Sequence, residues 1–169
     1  MLVTIPAVAH PASLLAIDSP EIMGWRTFDV GRMNYIVNHP SIRPHVGGDP
    51  AQPLDFTDAI ANHDNHFLSG EHGGFSCIWT APGTYEIHTF VLPEGRGAWA
   101  AAFAMWGRQY LVDLGARHLW TMVHPDAANV RTFTLKAGFE PAGSRVVDLG
   151  AGPVSYEIFD WSPDRCQQQ

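Results

Sequence analysis

The run FVLPEGRGAWAAAFAMWGRQYLVDLG, residues 90–115, constrains the fold more than any other stretch of this chain. A strand pattern passes through Gly95, Arg96 and Gly97 into the longest helical pattern in the sequence. Trp99, Phe103, Trp106 and Tyr110 fall on one stripe at helical spacing, and Ala102, Leu111 and Leu114 widen it. Past the first turn the only charges are Arg108 and Asp113, so most of this helix is expected to be buried. Gly115 is its natural stop, because glycine takes the left-handed conformation past a helix end without strain. RHLWTMV, residues 117–123, then reads as a strand. A strand, a long buried helix and a second strand in that order imply a sheet with helices packed on it.

The flanking elements agree. Residues 29–38 read as a short helix, with Asp29 as a candidate N-cap and Val30, Met33, Ile36 and Val37 as its apolar face. HPSIRPHVGGDPAQP, residues 39–53, is a loop, since four prolines and Gly47-Gly48 exclude a helix or a central strand. One more helical turn is expected within 55–61. FSCIWT (75–80) and YEIHTFVL (85–92) flank Pro82-Gly83, a type II turn signal, so they form an antiparallel hairpin. In its second strand Glu86, His88 and Phe90 share one face, and Ile87, Thr89 and Val91 the other. A helix over 126–136 ends at Gly138, and strands at 145–149 and 154–160 form a closing hairpin around 150–153. The order predicts an α/β fold, with a mixed sheet.

Composition narrows the function. Nineteen aromatic residues and 46% hydrophobic content in 169 residues fit one globular domain and argue against disorder. The net charge of -7 argues against a nucleic-acid partner, which needs a basic face, and against an anionic membrane surface. The first eighteen residues lack a basic leader and carry Pro6, His10 and Pro11, so no signal peptide is read there. Cys77 and Cys166 form no CxxC pair, which suits free thiols in the cytoplasm. No metal is expected. The histidines of His63-Asp64-Asn65-His66 and His72 are read as surface-loop residues, and Cys77, alternating with Phe75 and Trp79, as a small core residue. No G-x-S-x-G nucleophile or Walker A lysine is present.

The strand-to-helix turn at Gly95–Gly97 would present free N–H groups and the positive helix end to an anion such as a pyrophosphate. Three segments then carry a resemblance. Arg96-Gly97-Ala98-Trp99-Ala100-Ala101 resembles the pyrophosphate loop R/Q-x-x-G-x-G/A of the GNAT superfamily of acyl-CoA-dependent N-acetyltransferases. LGARHLWTMV resembles the strand after it, and AANVRTFTLKAGFEPAG the closing helix with its xGFE ending. The segment NHPSIRP is similar to the N-terminal region of GNAT-like proteins of bacteriophages and proteobacteria.

The resemblance implies a GNAT-like, mostly antiparallel mixed sheet, flanked by helices and opened by a central wedge between strands 85–92 and 117–123. One domain over 1–169 would hold four parts: an extension and first strand (1–28), the acceptor side (29–73), an acyl-CoA core (74–142) and a hairpin with tail (143–169). Acetyl-CoA would be the co-substrate. Its pantetheine would run along the main chain of Phe90, Val91 and Leu92, and its pyrophosphate would sit on the N–H groups of Arg96, Gly97, Ala98, Trp99, Ala100 and Ala101. Three positions depart from the family pattern. Trp99 stands where the loop has Gly, Ala127 where a helix Asn is usual, and Thr134 where many members carry a Tyr general acid; Asn129, two residues past Ala127, is the Asn expected to help hold the cofactor. The stripe predicts that the Trp99 ring turns into the core.

Acetyl transfer needs a base for the attacking amine. Glu86 and His88 are the candidates; read from the residues alone, each also fits a plain structural role. The expected activity is transfer of acetyl to a primary amine of a small molecule or protein. The alternatives are a non-catalytic GNAT-fold phage head-assembly or internal virion protein, and a CoA-binding regulatory module. The expected partners are the acceptor and a second copy in a homodimer or, in the assembly reading, other virion proteins.

Overall fold

A computed structural model describes residues 24–149 and 152–163. The expectations for residues 1–23, for Gly150 and Ala151 and for the tail with Cys166 lie outside the described residues.

The elements run β1 (Gly24–Arg26), α1 (Val30–Val37), α2 (Thr57–Ala61), β2 (His66–Gly70), β3 (Gly73–Ala81), β4 (Thr84–Val91), α3 (Ala98–Asp113), β5 (His118–Val123), α4 (Ala128–Lys136), β6 (Glu140–Asp148) and β7 (Pro153–Trp161). The strands form one seven-stranded sheet in the order β1-β2-β3-β4-β5-β7-β6. Among the described strands only β4 and β5 pair in parallel, which is what a helical crossover between them requires. The sheet is therefore mixed and mostly antiparallel, as expected.

Each face of the sheet carries its own core because strand side chains alternate. On one face Phe103 and Leu111 of α3 pack with Leu68, Phe75, Cys77, Leu119 and Trp161. Arg108 of α3 donates to the Ala137 carbonyl at the end of α4, 2.7 Å away, which ties the two helices together. On the other face Met33, Ile36 and Val37 of α1 and Ile60 of α2 pack with Phe67 and Phe90. Asp29 caps α1 as its sequence predicts, accepting from the Arg32 amide at 2.9 Å. The β3–β4 hairpin closes on Gly83 at φ 70°.

Three expectations need correction. His66–Gly70 is a strand, not a loop. It lies between β1 and β3 with apolar contacts on both faces, so Phe67 and Leu68 stand side by side and no alternation marks it. The first closing strand begins at Glu140, five residues early. It is a sheet edge and almost wholly exposed, which admits Pro141 and a register shift by Gly143 at φ 117°. The α3 helix is less buried than its composition suggests. One sheet face can cover one stripe, here Ala100, Phe103, Gly107 and Leu111, and Leu114 and Met105 are 52% and 57% exposed. The helical turn expected within 55–61 is present as α2.

Candidate active site

The β4–β5 ladder is short. Thr84, Tyr85 and Glu86 pair with His118, Leu119 and Trp120, and there the pairing stops. Beyond that point β4 continues to Val91 and β5 to Val123 without pairing to each other. Leu92 donates its N–H to His72 beside β3, at 2.9 Å. Strand residues alternate the edge to which they direct N–H and C=O, so Thr89 and Val91 direct theirs into the opening, while the Ile87 N–H still closes the last β4–β5 pair, at Trp120. Phe90 and Leu92 direct theirs toward β3, and the Phe90 ring is buried in the α1-side core.

The opening leads to the start of α3. Gly97 is the N-cap, at φ 99°, and has no side chain to take the first helical N–H groups. Nothing lies within 4 Å of where a Cβ on Gly97 would stand. A cleft of about 470 Å³ opens here between α3 and α4, lined by Gly97, Ala98, Ala101, Asn129, Thr132, Phe133, Lys136 and Ala137. The Trp99 ring turns away from it. It stacks on Phe103 with centroids 4.7 Å apart and meets His72 edge-on at 5.3 Å. Glycines make room for the indole: a Cβ on Gly70 or on Gly95 would come within 2.9 Å of it. Ala100 is in the core, and Arg96 points elsewhere, donating to the Ser41 carbonyl at 3.2 Å.

On the α1 side of the opening, the His88 Nε2 lies 3.3 Å from the Glu86 Oε1, with side chains 38% and 17% exposed. The two thus meet each other, on the face their alternation predicts. Thr134 is buried and donates its hydroxyl to Val130 at 3.0 Å, so no proton donor projects from that position. His66 sits against the Tyr110 hydroxyl at 3.2 Å and edge-on to Tyr85, on the α3 face of the sheet, and burial, with Arg26 nearby, holds its imidazole below the usual range. Burial likewise pushes the Cys77 thiol up, away from reactive thiolate. Among the described residues no three His, Cys, Asp or Glu are grouped to hold a metal ion.

The sequence reading missed Thr132, Phe133 and Lys136. With Asn129 they stand at i, i+3, i+4 and i+7 of α4, a spacing that puts all four on one helix face.

No family model matches the sequence, and no curated protein matches it. Solved structures do match. A spermidine N-acetyltransferase SpeG chimera of Vibrio cholerae and hSSAT superposes at TM-score 0.72 and 13% identity, over 88% of this chain and 99% of that one. The fold is that of the GNAT acetyltransferases. The GNAT-family acetyltransferase from Bacillus anthracis agrees at TM-score 0.65 and 13% identity, over 85% and 98% of the two chains. The yncA protein of Salmonella typhimurium, solved with its cofactor acetyl-CoA, agrees at 0.66 and 14% identity, over 83% and 93%. The GNAT fold is thus kept here with little sequence in common. Among the described residues no helix is long and apolar enough to cross a membrane.

Proposed function

We propose that this chain transfers an acetyl group from acetyl-CoA to a primary amine. The observation that carries this is the break in the β4–β5 ladder after Glu86, in line with the glycine-capped start of α3. A slot edged by unpaired main-chain groups suits the amides of pantetheine. A helix start with no capping side chain suits a pyrophosphate. The inward turn of Trp99 removes the obvious obstacle, so the residues present fit the group. Bound there, acetyl-CoA supplies an activated thioester.

The chain's own groups supply orientation and a base. Nε2 of His88 lies against Glu86, which leaves Nδ1 to take the proton of the attacking amine, directly or through one water. The carboxylate holds the ring tautomer and steadies the imidazolium that forms. No acid stands at Thr134 to protonate the leaving sulfur. A thiolate leaves readily, since free thiols ionise near pH 8.5, so this lack lowers the rate without preventing the reaction. The acceptor is a small-molecule or protein amine entering from the α1 face. The SpeG similarity makes spermidine the first amine to try.

The test is an assay with acetyl-CoA and a panel of primary amines, following free thiol and the mass of the amine. Amine-dependent thiol release with a 42-dalton gain, lost in His88→Ala, is the expected result (the gain is that of acetyl replacing hydrogen). Binding of acetyl-CoA without transfer to any amine would overturn the enzyme reading in favour of a CoA-binding module.

A further inference from the structure

Resting on the acetyl-CoA reading above, we propose that Lys136, and not Arg96, supplies the side-chain charge that faces the pyrophosphate. Backbone N–H groups at a helix start offer roughly half a positive charge, which leaves a pyrophosphate under-compensated. A cation beside them is therefore expected, and by motif position Arg96 is the obvious candidate. The structure turns it away: its guanidinium reaches the Ser41 carbonyl at 3.2 Å, across the opening of the Pro-rich loop. The arginines within α3 and α4 are also engaged. Arg108 donates to Ala137 at 2.7 Å and lies over Trp161, and Arg131 pairs with Glu157 at 2.8 Å. Lys136 lines the same cleft as Gly97 and Ala98, on the α4 face it shares with Asn129 and Thr132. It is the only lysine in the chain. Its flexible stem and compact charge suit a phosphate met as a point charge, whereas Arg96 acts as a strap joining the acceptor-side loop to the entry of α3.

A plain structural role for Lys136 also exists, because a cation in the last turn of α4 complements the helix dipole. That role would leave CoA affinity untouched. Both residues are exposed, so Lys136→Met and Arg96→Met should fold. Calorimetric titration with CoA should show about tenfold weaker binding for Lys136→Met, a weaker dependence on salt, and Arg96→Met within about twofold of the parent. The same loss is expected with 3′-dephospho-CoA, because the assignment is to the pyrophosphate. The proposal is overturned if Arg96→Met weakens binding as much as Lys136→Met does. It is overturned equally if Lys136→Met binds like the parent, or if its effect vanishes with 3′-dephospho-CoA. A parent chain that binds no CoA overturns the acetyl-CoA reading itself, and this assignment with it.

Discussion

The two sides of the opening are built by different means. On the α3–α4 side the candidate site is made of backbone: strand amides at Thr89 and Val91, past the last β4–β5 pair, and a helix start capped by Gly97. On the α1 side the loop between α1 and α2 is held by side chains bonded to backbone. Arg43, only 6% exposed, donates to the carbonyls of Gln52, Val46, Gly47 and Asp49. Asn38 bonds Leu54 in both directions at 2.7 Å, and Asn34 reaches Asp55 and the Phe56 amide. A site built of backbone tolerates changes of side chain, and Trp99 fits beside it because Gly70 and Gly95 leave room for the ring. A loop held by three side chains depends on each of them.

The contrast can be broken from either side. The largest effect is expected at the one pair of side chains the chemistry needs. His88→Ala should lower the acetylation rate by roughly 10²–10⁴, with CoA affinity unchanged; Glu86→Gln should cost less, since it orients the base. Equal and small losses in steady-state kinetics would remove both from the mechanism. Next, Trp99→Gly should leave a cavity under α3 and lower stability by about 3–5 kcal/mol in urea unfolding, while CoA binding to any folded protein stays intact. Stronger CoA binding in that variant would mean that the indole obstructs the loop in solution. On the acceptor side, Arg43→Met should cost about 3 kcal/mol by stranding several carbonyls, and should raise KM for the amine more than for acetyl-CoA. A loss shared equally by the two substrates would erase the proposed division of labour.

The smallest effect concerns pH. The His66 imidazole is held below its ordinary range by burial, then by Arg26. Its folded pKa is depressed, so its stabilising contribution is present above about pH 6.5 and is lost as pH falls through the folded value, the unfolded chain taking the proton first. A stability-against-pH curve should show this component, and His66→Phe should lack it. His66 lies outside the α3–α4 cleft, so CoA affinity should not follow this titration.

The same contrast explains what could be read from the sequence. Elements with one buried face were legible: Met33, Ile36 and Val37 mark α1, and Trp99, Phe103, Trp106 and Tyr110 mark α3 as a continuous stack. Pro82-Gly83 marked the hairpin by its backbone demands alone. The β2 strand was not legible, because burial on both faces removes alternation, and neither was the exposed edge strand β6. Side chains that act at a distance were least legible. Arg43 sits in a Pro-rich loop whose residues are mostly exposed, and nothing local says that its guanidinium is enclosed by carbonyls. Arg96 fits a motif by position, yet its reach is decided by Ser41, 55 residues away. Asn129 belongs to a wall with Thr132 and Lys136 that only α4 periodicity reveals.

In the proposed enzyme it is backbone, of the opening and of the α3 start, that holds acetyl-CoA. An NMR titration of the full chain with acetyl-CoA tests it most directly, read at each amide. Saturable shifts are expected at Thr89 and Val91 and at Gly97, Ala98 and Ala101, with the α1–α2 loop little changed until an amine is added. No saturable shift at those amides, or shifts confined to the α1–α2 loop, would contradict it.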